Sequence, residues 1–460
     1  MRPRQPLLPP NRSWLGDLRI LILATFTPLS VALAAEPLQL RGHGGPVRSI
    51  TVSDDGGAAL SGSFDYSLIH WRLGADIPEI AHRFLDHEAA VNDAAFAAGG
   101  LAVTASDDRT VGLFDLAKGV LIARLSGHEA KVVDVAVSPD GLLAASASWD
   151  RTARVWDLAA RREVAVLKGH RGNVNAVAFA GPGQIYTASY DGTIRLWDIG
   201  TSTALRTLYR HGWGINALQV LPDGNLLFGA IDGTVAVLDA ASGEKIKVLQ
   251  PHTGPVLTVA VWPRHGLAAA GGADGFLRVW RLDTWELMHE YDDPHGPIWS
   301  IAISGDGKTV FHAGLDDFVI GWQINPELAF EPVASKFPRR FQVSEDMEQG
   351  ERQFARKCSV CHTLEPDDGN RAGPSLHKLF GRRAGTLPGY PYSAALREAD
   401  IVWTEETIAR LFDEGPDKVT PGSKMPLQRL KSVQERDALI AFLKQATESD
   451  GNRPTKGVGQ

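Results

Sequence analysis

A unit of about 42 residues recurs seven times between positions 40 and 324 of the 460-residue chain, and this repeat restricts the possible folds more than any other feature. In each unit an aspartate precedes an aromatic or leucine residue by six positions, and a histidine precedes that aspartate by 21 or 22 positions. Repeats of this length are typical of folds in which one supersecondary unit is copied and packed against its neighbours. The seven sets are His43, Asp65 and Trp71; His87, Asp108 and Phe114; His128, Asp150 and Trp156; His170, Asp191 and Trp197; His211, Asp232 and Leu238; His252, Asp274 and Trp280; and His295, Asp316 and Trp322.

Short alternating segments inside the units, such as 132–137 and 153–156, predict β-strands, and Pro-Asp-Gly at 139–141 and 222–224 predicts hairpin turns. Several units end in Trp-Asp, at 156–157 and 197–198, and three begin with Gly-His, at 42–43, 127–128 and 169–170. With these motifs the region resembles the WD-repeat family. The resemblance implies an all-β seven-bladed propeller with one four-stranded blade per repeat. Residues 37–41 could supply the outer strand of the last blade and close the ring.

The periodic histidines could be metal ligands or parts of a structural network. The resemblance implies the network, in which His, Ser, Asp and Trp form hydrogen bonds inside each blade, since a buried imidazole needs polar partners. Units 5 to 7 have Ala230, Gly272 and Gly314 in place of the serine, and unit 5 also has Leu238, so we expect those blades to be held less rigidly. The sets that fit the pattern are His43, Ser63, Asp65 and Trp71; His128, Ser148, Asp150 and Trp156; and His170, Ser189, Asp191 and Trp197.

The chain has only two cysteines, and they lie in the sequence Cys358-Ser359-Val360-Cys361-His362. The pattern C-x-x-C-H is the attachment signature of a c-type haem, with a thioether from each thiol and the imidazole as the proximal iron ligand. A thioredoxin-like dithiol, half of a zinc site or a small disulfide would also use two such cysteines. Zinc would need two further ligands nearby, and a thioredoxin-like site would need a βαβ setting that the surrounding sequence does not show.

From Gly350 onward about 100 residues resemble class I cytochrome c, especially the mitochondrial type. The resemblance implies an all-α domain with one covalent haem c, attached through Cys358 and Cys361, whose iron is ligated by His362 and Met425. Met425 lies in a proline-containing loop, whereas Met288 lies in a repeat unit and Met347 precedes the haem motif. A six-coordinate iron of this kind favours electron transfer over oxygen or peroxide chemistry.

The same resemblance assigns roles to residues around the haem. Pro374 would accept a hydrogen bond from the axial imidazole through its carbonyl group, which fixes the ring and raises its basicity. Tyr392 and Trp403 would form hydrogen bonds with a buried haem propionate, Arg382 would be its charge partner, and Ser423 would lie beside the ligand methionine. The chain departs from mitochondrial members at Leu396 and Leu411, where those proteins have Asn and Tyr. We expect this less polar wall to raise the reduction potential.

The N-terminus has the pattern of a secretory signal peptide. Four arginines at positions 2–19 precede an apolar run at 20–35, which contains Pro28 and ends with the small-x-small sequence Ala32-Leu33-Ala34. The alternative is an uncleaved N-terminal anchor. No later segment is apolar enough to span a bilayer. The mature chain is therefore expected to be a periplasmic protein without a membrane span, and export agrees with haem attachment outside the bacterial cytoplasm.

Charge is distributed unevenly along the chain. Residues 36–335 contain 23 Lys and Arg against 35 Asp and Glu, whereas residues 336–460 contain 20 against 18. The absence of a basic stripe argues against nucleic-acid binding. The sequence predicts a signal peptide at 1–35, a propeller at 36–324, a linker at 325–345, a class I cytochrome c domain at 346–448 and a flexible tail at 449–460.

These features predict an exported c-type cytochrome that carries single electrons and is not itself an enzyme. Its propeller would be a docking platform for redox partner proteins, such as a respiratory complex or a periplasmic oxidoreductase. One alternative is a periplasmic oxidoreductase whose propeller holds a catalytic site fed by the haem domain. Another is a sensor or assembly scaffold in which the haem is a redox switch.

Overall fold

The computed structural model describes residues 38–324 and 347–448, apart from 75–77, 294, 360, 365, 367–372, 391, 422, 424, 426–428 and 431. The predicted signal peptide, the linker and the tail lie outside the described residues. The described part contains a β-rich region followed by a helical region, in the order that the repeats and the haem motif predict.

The β-rich region consists of seven four-stranded antiparallel sheets, one for each repeat, which we number as blades 1 to 7. The first strand is β1 (Leu38–Arg41). Blade 1 contains β2 (Val47–Val52), β3 (Ala58–Ser63), β4 (Leu68–Arg72) and β5 (Glu79–Phe84); blade 2 contains β6 (Val91–Ala97), β7 (Leu101–Ser106), β8 (Thr110–Asp115) and β9 (Val120–Ser126); blade 3 contains β10 (Val132–Val137), β11 (Leu143–Ser148), β12 (Thr152–Asp157) and β13 (Arg162–Lys168). Blade 4 contains β14 (Val174–Gly181), β15 (Gln184–Ser189), β16 (Thr193–Asp198) and β17 (Thr203–Arg210); blade 5 contains β18 (Ile215–Val220), β19 (Leu226–Ala230), β20 (Val235–Leu238) and β21 (Lys245–Val248). Blade 6 contains β22 (Val256–Trp262), β23 (Leu267–Gly272), β24 (Phe276–Arg281) and β25 (Leu287–Asp292), with a short 3₁₀ turn at Pro263–His265; blade 7 contains β26 (Ser300–Ile303), β27 (Thr309–Ala313), β28 (Phe318–Gln323) and β1.

Strand β1 completes the last blade. It pairs antiparallel with β28, with Leu38 opposite Gly321 and Arg41 opposite Phe318. The N-terminal strand therefore covers the edge of β28 that would otherwise be exposed, and the ends of the propeller are joined by backbone hydrogen bonds. The predicted seven-bladed propeller and its closure by residues 37–41 are confirmed for the part of that segment that the structure describes, 38–41.

The histidine of each of the first four repeats belongs to a buried hydrogen-bond network, which blade 3 illustrates. His128 contacts the Asp150 carboxylate through Nδ1 at 2.7 Å and the Ser146 hydroxyl through Nε2 at 2.8 Å, and Trp156 Nε1 donates to the same hydroxyl at 2.9 Å. Burial would raise the pKa of Asp150, but hydrogen bonds from His128 and Thr152 outweigh burial and place it well below its usual range. The corresponding bridging hydroxyls in blades 1, 2, 3 and 4 belong to Ser61, Thr104, Ser146 and Thr187.

The predicted serines do not bridge histidine and tryptophan, and this part of the prediction was wrong. Ser148 lies at the end of β11, where its hydroxyl donates to the Ala130 carbonyl at 3.1 Å and accepts from the Asp150 amide. The residue at the level of the imidazole is two positions earlier on the same face of the strand, because side chains alternate with a period of two. Ser63 and Ser189 occupy the same turn position as Ser148 in their blades.

Blades 5 to 7 lack the bridging hydroxyl. The equivalent residues are Phe228, Ala270 and His312, and Nε2 of His252 in blade 6 is buried without a hydrogen-bond partner among the described residues. The imidazole–aspartate contact persists, with His252 Nδ1 2.9 Å from Asp274. The expected difference between the two sets of blades is therefore present in the hydrogen bonds, and its effect on rigidity stays a prediction.

The helical region contains α1 (Gln349–Lys357), α2 (Ala394–Glu398), α3 (Glu405–Glu414), α4 (Pro416–Val419) and α5 (Val433–Glu448). A capping box at the start of α3 links Thr404 and Thr407. Helices α1 and α5 cross at Gly350, where a Cβ atom would overlap the carbonyl oxygen of Ala438. Phe354 packs on Phe442 beside the crossing, with ring centroids 5.6 Å apart. Among the described helices, none is long and apolar enough to cross a bilayer.

Candidate functional site

The helical region surrounds a crevice with an empty volume of about 1100 Å³, including its open mouth. Its wall is predominantly apolar, with leucine side chains from several helices and loops. The structure brings all nine residues of the predicted haem site to this one wall: Cys358, Cys361, His362, Pro374, Arg382, Tyr392, Trp403, Ser423 and Met425.

The two cysteines and the histidine lie in a tight turn that ends α1. The amide of Cys358 donates to Phe354, and the amides of Cys361 and His362 both donate to the Cys358 carbonyl, at 3.0 and 2.8 Å. The turn keeps the three side chains next to each other at the end of a helix that α5 holds in place. Cys358 is buried, and Cys361 is partly exposed.

The His362 imidazole is anchored by a backbone carbonyl. Its Nδ1 lies 2.7 Å from the Pro374 oxygen, and because a carbonyl can only accept, Nδ1 carries the hydrogen. In this neutral tautomer Nε2 carries the lone pair that a metal requires. Gly373 makes the approach possible, since a Cβ atom there would overlap the imidazole ring. The predicted contact of Pro374 is therefore present, although its effect on a metal stays a prediction.

Met425 lies in the wall of the same crevice and packs against the helical core. The loop before it is held by Thr420, whose hydroxyl donates to the Pro416 carbonyl at 3.1 Å and lies 3.2 Å from the Ser423 hydroxyl. The amide of Ser423 also donates to the Thr420 carbonyl, at 3.1 Å. These bonds position the loop from α4 toward Met425. Neighbouring Lys424 and Pro426 lie outside the described residues.

Arg382 brings a positive charge to an otherwise apolar wall. Its guanidinium donates to the carbonyls of Ser375 at 2.6 Å and His377 at 2.9 Å, and burial lowers its pKa. Trp403 connects to the same segment through its amide, which donates to the Arg382 carbonyl at 3.0 Å. Tyr392 is 9% exposed and also lines the crevice. A partly buried guanidinium of this kind favours a carboxylate ligand such as a haem propionate.

The chemistry of these groups fits haem c. Two thiols, an imidazole with Nε2 as its basic nitrogen and a thioether surround one apolar volume, which matches the attachment and ligand requirements of this cofactor. Burial raises the pKa of the unattached Cys358 thiol to about 12, with a smaller increase from Cys361 and an opposing decrease from Lys357. Dithiol redox sites instead have a cysteine with a lowered pKa, so the environment of Cys358 argues against that alternative.

Two tyrosines in the wall were not predicted. Tyr390 lies in the loop before α2, and its ring makes a T-shaped contact with Tyr392 at 4.7 Å between centroids. Tyr66 belongs to blade 1 and nevertheless lines the crevice. Burial, with smaller contributions from the nearby Cys361 and Asp107, raises its pKa to about 12. No motif in the repeat signals this position. Leu396 and Leu411, which were noted as departures, also line the crevice.

Comparisons with known proteins divide the chain in the same way. The family model "WD domain, G-beta repeat" matches residues 36–72, 119–157, 161–198, 202–239 and 243–281, and the family model "Cytochrome c" matches residues 347–447. Among solved structures, the WD40 beta propeller domain of Doa1 aligns with a TM-score of 0.55 and 22% identity, over 63% of this chain and 96% of that one. This likeness shows the fold alone.

The C-terminal region is similar to curated cytochromes c. The protein from Sesamum indicum is 46% identical over 104 residues, which are 22% of this chain and 91% of the relative. The protein from Gibberella zeae is 41% identical over 102 residues, 22% of this chain and 95% of the relative. The protein from Chlamydomonas reinhardtii is 45% identical over 102 residues, with shares of 22% and 90%.

Proposed function

Since the chain belongs to the cytochrome c family through its C-terminal domain, we propose that it is an exported electron carrier in which a WD-repeat propeller docks the redox partners of the haem domain. The domain holds one covalently bound haem c, in the region that contains Cys358 and Cys361. Cytochrome c relatives are electron carriers, and WD-repeat propellers are protein-interaction modules. Export, the identity of both axial ligands and the nature of the partners are parts of the proposal.

One observation carries the electron-transfer role: His362 and Met425 line the same apolar crevice as the two cysteines. The haem supplies reversible one-electron oxidation and reduction of its iron when it is bound. Pro374 and Gly373 fix the orientation and tautomer of the imidazole, so Nε2 is the nitrogen available to a metal. Met425 would be the second axial ligand. If His362 and Met425 both ligate the iron, no position on it would remain for a small substrate.

The wall of the crevice sets how easily the iron is oxidised. Leu396 and Leu411 contribute apolar surface where a polar network would stabilise the extra positive charge of the ferric state. Arg382 places a guanidinium in the same wall and would balance a propionate. Axial ligands, burial and hydrogen bonds are the means by which a protein adjusts a haem potential. We expect the leucines to favour the ferrous state.

Exposed aromatic side chains on the propeller support its role as a docking platform. Tyr190, in the β15–β16 turn, is 61% exposed, and Trp213, in the loop before β18, is 62% exposed. The two lie next to each other, since a Cβ atom at Gly214 would lie 3.2 Å from the Tyr190 ring and Gly214 follows Trp213 directly. Aromatic residues are enriched in the centres of protein–protein interfaces. The exposed aromatic pair supports protein partners, and the haem domain supports partners that carry or accept single electrons.

An optical redox titration of the secreted full-length protein tests the proposal. We expect one reversible transition with a one-electron slope and covalent haem on a denaturing gel. We also expect the ferrous protein not to bind carbon monoxide, because both axial positions are occupied by the protein. Rapid carbon monoxide binding, or a transition that is not reversible, would contradict the electron-carrier role. For localisation, haem staining should appear in the periplasmic fraction and disappear when residues 1–35 are deleted.

A further inference from the structure

One residue of the haem crevice comes from outside the helical domain. Tyr66 lies in the turn between β3 and β4 of blade 1, and it lines the crevice together with Cys361 and Tyr390. The other residues of that wall belong to positions 357–443. A side chain of the propeller therefore contributes to the surface that encloses the cofactor.

The turn that presents Tyr66 is held firmly in the blade. Asp65 accepts hydrogen bonds from the Ser67 amide at 2.9 Å and its hydroxyl at 2.6 Å, and it contacts His43 Nδ1 at 3.1 Å. The amide of Tyr66 donates to the Ser63 carbonyl at 3.2 Å. Tyr66 has a φ of +72°, a left-handed conformation that is unfavourable for a bulky residue. The network around Asp65 holds this conformation, so the position of the aromatic ring is fixed by the blade.

The same turn position in other blades shows what is special about blade 1. Blades 2 and 3 have Arg109 and Arg151 there, with φ values of +72° and +71°, and both side chains are exposed. Blades 4 and 5 have Gly192 and Gly233. Only Tyr66 is a large aromatic residue, and it is partly buried. Among these described turns, blade 1 is therefore the one whose turn residue is suited to an apolar contact.

The electrostatic surroundings of Tyr390 in the helical domain also indicate this contact. Burial raises the pKa of Tyr390, and the charges of Tyr392, Cys361, Tyr66 and Asp65 raise it further. The blade 1 turn therefore lies close enough to Tyr390 to act on it electrostatically. Tyr390 in turn makes the T-shaped contact with Tyr392, and all three tyrosines line the crevice.

We propose that blade 1 docks onto the haem domain of its own chain, and that Tyr66 completes the haem crevice beside Cys361 so that the propeller covers one edge of the cofactor. The inference rests on the haem-binding role proposed above and adds to it a residue from the other domain. A covered edge is less accessible to water, and a drier haem environment favours the ferrous state and raises the potential. Because the propeller covers this edge, an external redox protein would approach the haem at a site that includes the propeller.

Photochemical crosslinking tests the contact without relying on electron transfer. Benzoylphenylalanine is placed at position 66 of the full-length chain and, as a control, at position 151, the equivalent turn position in blade 3. We expect position 66 to crosslink within the chain to a peptide containing residues 384–392 and position 151 not to do so. A crosslink at position 66 no stronger than at position 151, or one that joins two chains, overturns the proposal.

An optical redox titration provides the second measurement. Tyr66→Ala should lower the midpoint potential, because water gains access to the haem edge, whereas Tyr66→Phe and Arg151→Ala should match the wild type. We expect at least about a threefold change in the ferric-to-ferrous ratio, which is about 28 mV at 59 mV per factor of ten for one electron. An unchanged potential in Tyr66→Ala overturns the proposal. If the wild-type protein contained no covalent haem, that result would instead contradict the proposed function, so the two failures are distinguishable.

Discussion

The blades and the haem domain use histidine in two different ways. In blade 3 both ring nitrogens of His128 contact side chains, the Asp150 carboxylate at 2.7 Å and the Ser146 hydroxyl at 2.8 Å. In the haem domain Nδ1 of His362 contacts a backbone carbonyl, at 2.7 Å, and the ring lines an apolar crevice. The first arrangement occupies both nitrogens within the fold. The second arrangement fixes the tautomer of His362 and makes Nε2 the nitrogen that can bind a metal.

The groups that contact the two ring nitrogens therefore distinguish structural histidines from ligand histidines in a chain that contains 14 histidines. A histidine with an aspartate on one nitrogen and a hydroxyl on the other contributes to stability through hydrogen bonds that burial makes costly to lose. A histidine whose ring packs against a glycine and whose Nδ1 contacts a backbone carbonyl presents its other nitrogen to a ligand.

The largest effect is expected for Met425→Ala. Loss of the proposed thioether ligand should remove the weak sulfur-to-iron absorption band at the red end of the ferric spectrum and lower the potential. Axial-ligand identity sets haem potentials across a range of roughly 0.8 V, so the shift should exceed that of any other substitution proposed for the crevice. The matched control is Met288→Ala in blade 6, where the side chain is 36% exposed. A red band that survives in Met425→Ala would contradict the assignment of the second axial ligand.

In the blades, the largest loss of stability is expected for Asp150→Asn. The Asp150 carboxylate contacts His128 and accepts from the amide and hydroxyl of Thr152, at 2.8 and 2.6 Å. Hydrogen bonds to a charged group contribute about 1.5–3 kcal/mol, and we expect a loss of about 2–3 kcal/mol at pH 7 in urea unfolding.

The pH dependence of this loss follows from the lowered pKa of Asp150. A carboxyl group with a lowered pKa in the folded state stabilises the fold above its unfolded pKa of about 4 and loses that contribution as pH falls. The difference between wild type and Asp150→Asn should therefore shrink from pH 6 toward pH 2. A difference that stays constant over this range would mean that the charge of Asp150 is not what stabilises the network. Asp157→Asn, in which the carboxylate accepts from the Ala160 amide at the surface, is the control.

A smaller loss is expected for Ser146→Ala. The substitution leaves His128 Nε2 and Trp156 Nε1 without their shared partner inside the blade. Unsatisfied buried polar groups cost about 1–3 kcal/mol each, and relaxation of the pair should limit the total to about 2 kcal/mol. Ser148→Ala, at the strand end, should cost less because that hydroxyl contacts only backbone groups. Equal losses in the two variants would remove the distinction between the bridging serine and the turn serine.

The smallest effect is a gain in stability. In blade 6 Ala270 occupies the position of Ser146, and within the described part of the chain Nε2 of His252 is buried without a hydrogen-bond partner. Ala270→Ser should supply the missing bond and raise the free energy of unfolding by about 0.5–1 kcal/mol, measured by urea unfolding. Ala269→Ser, on the opposite face of the same strand, is the control and should destabilise, because it buries a hydroxyl away from His252. A loss of stability in Ala270→Ser would show that blade 6 has no room for the network.

Much of the fold follows from short-range patterns. The spacing of His, Asp and Trp predicted the number of blades, because every repeat must bury the same residues against its neighbour. The sequence interpretation assigned Ser148 to the network, whereas Ser146 is the bridging residue. Both lie on one face of β11, and only the height of the imidazole above the strand separates them. In the haem domain, the family resemblance predicted nine site residues, and the structure places all nine around one crevice. Their roles toward the cofactor stay predictions.

By itself the sequence determined two things: the repeat that closes into a propeller and the pentapeptide that attaches haem. Both are local, because a strand, a turn or a C-x-x-C-H motif is specified by residues within a few positions of each other. The tertiary structure alone placed Tyr66 in the crevice, nearly 300 residues before Cys361 in the chain. A contact between separate domains depends on the shape and charge of two assembled surfaces, and no periodicity within either domain records it.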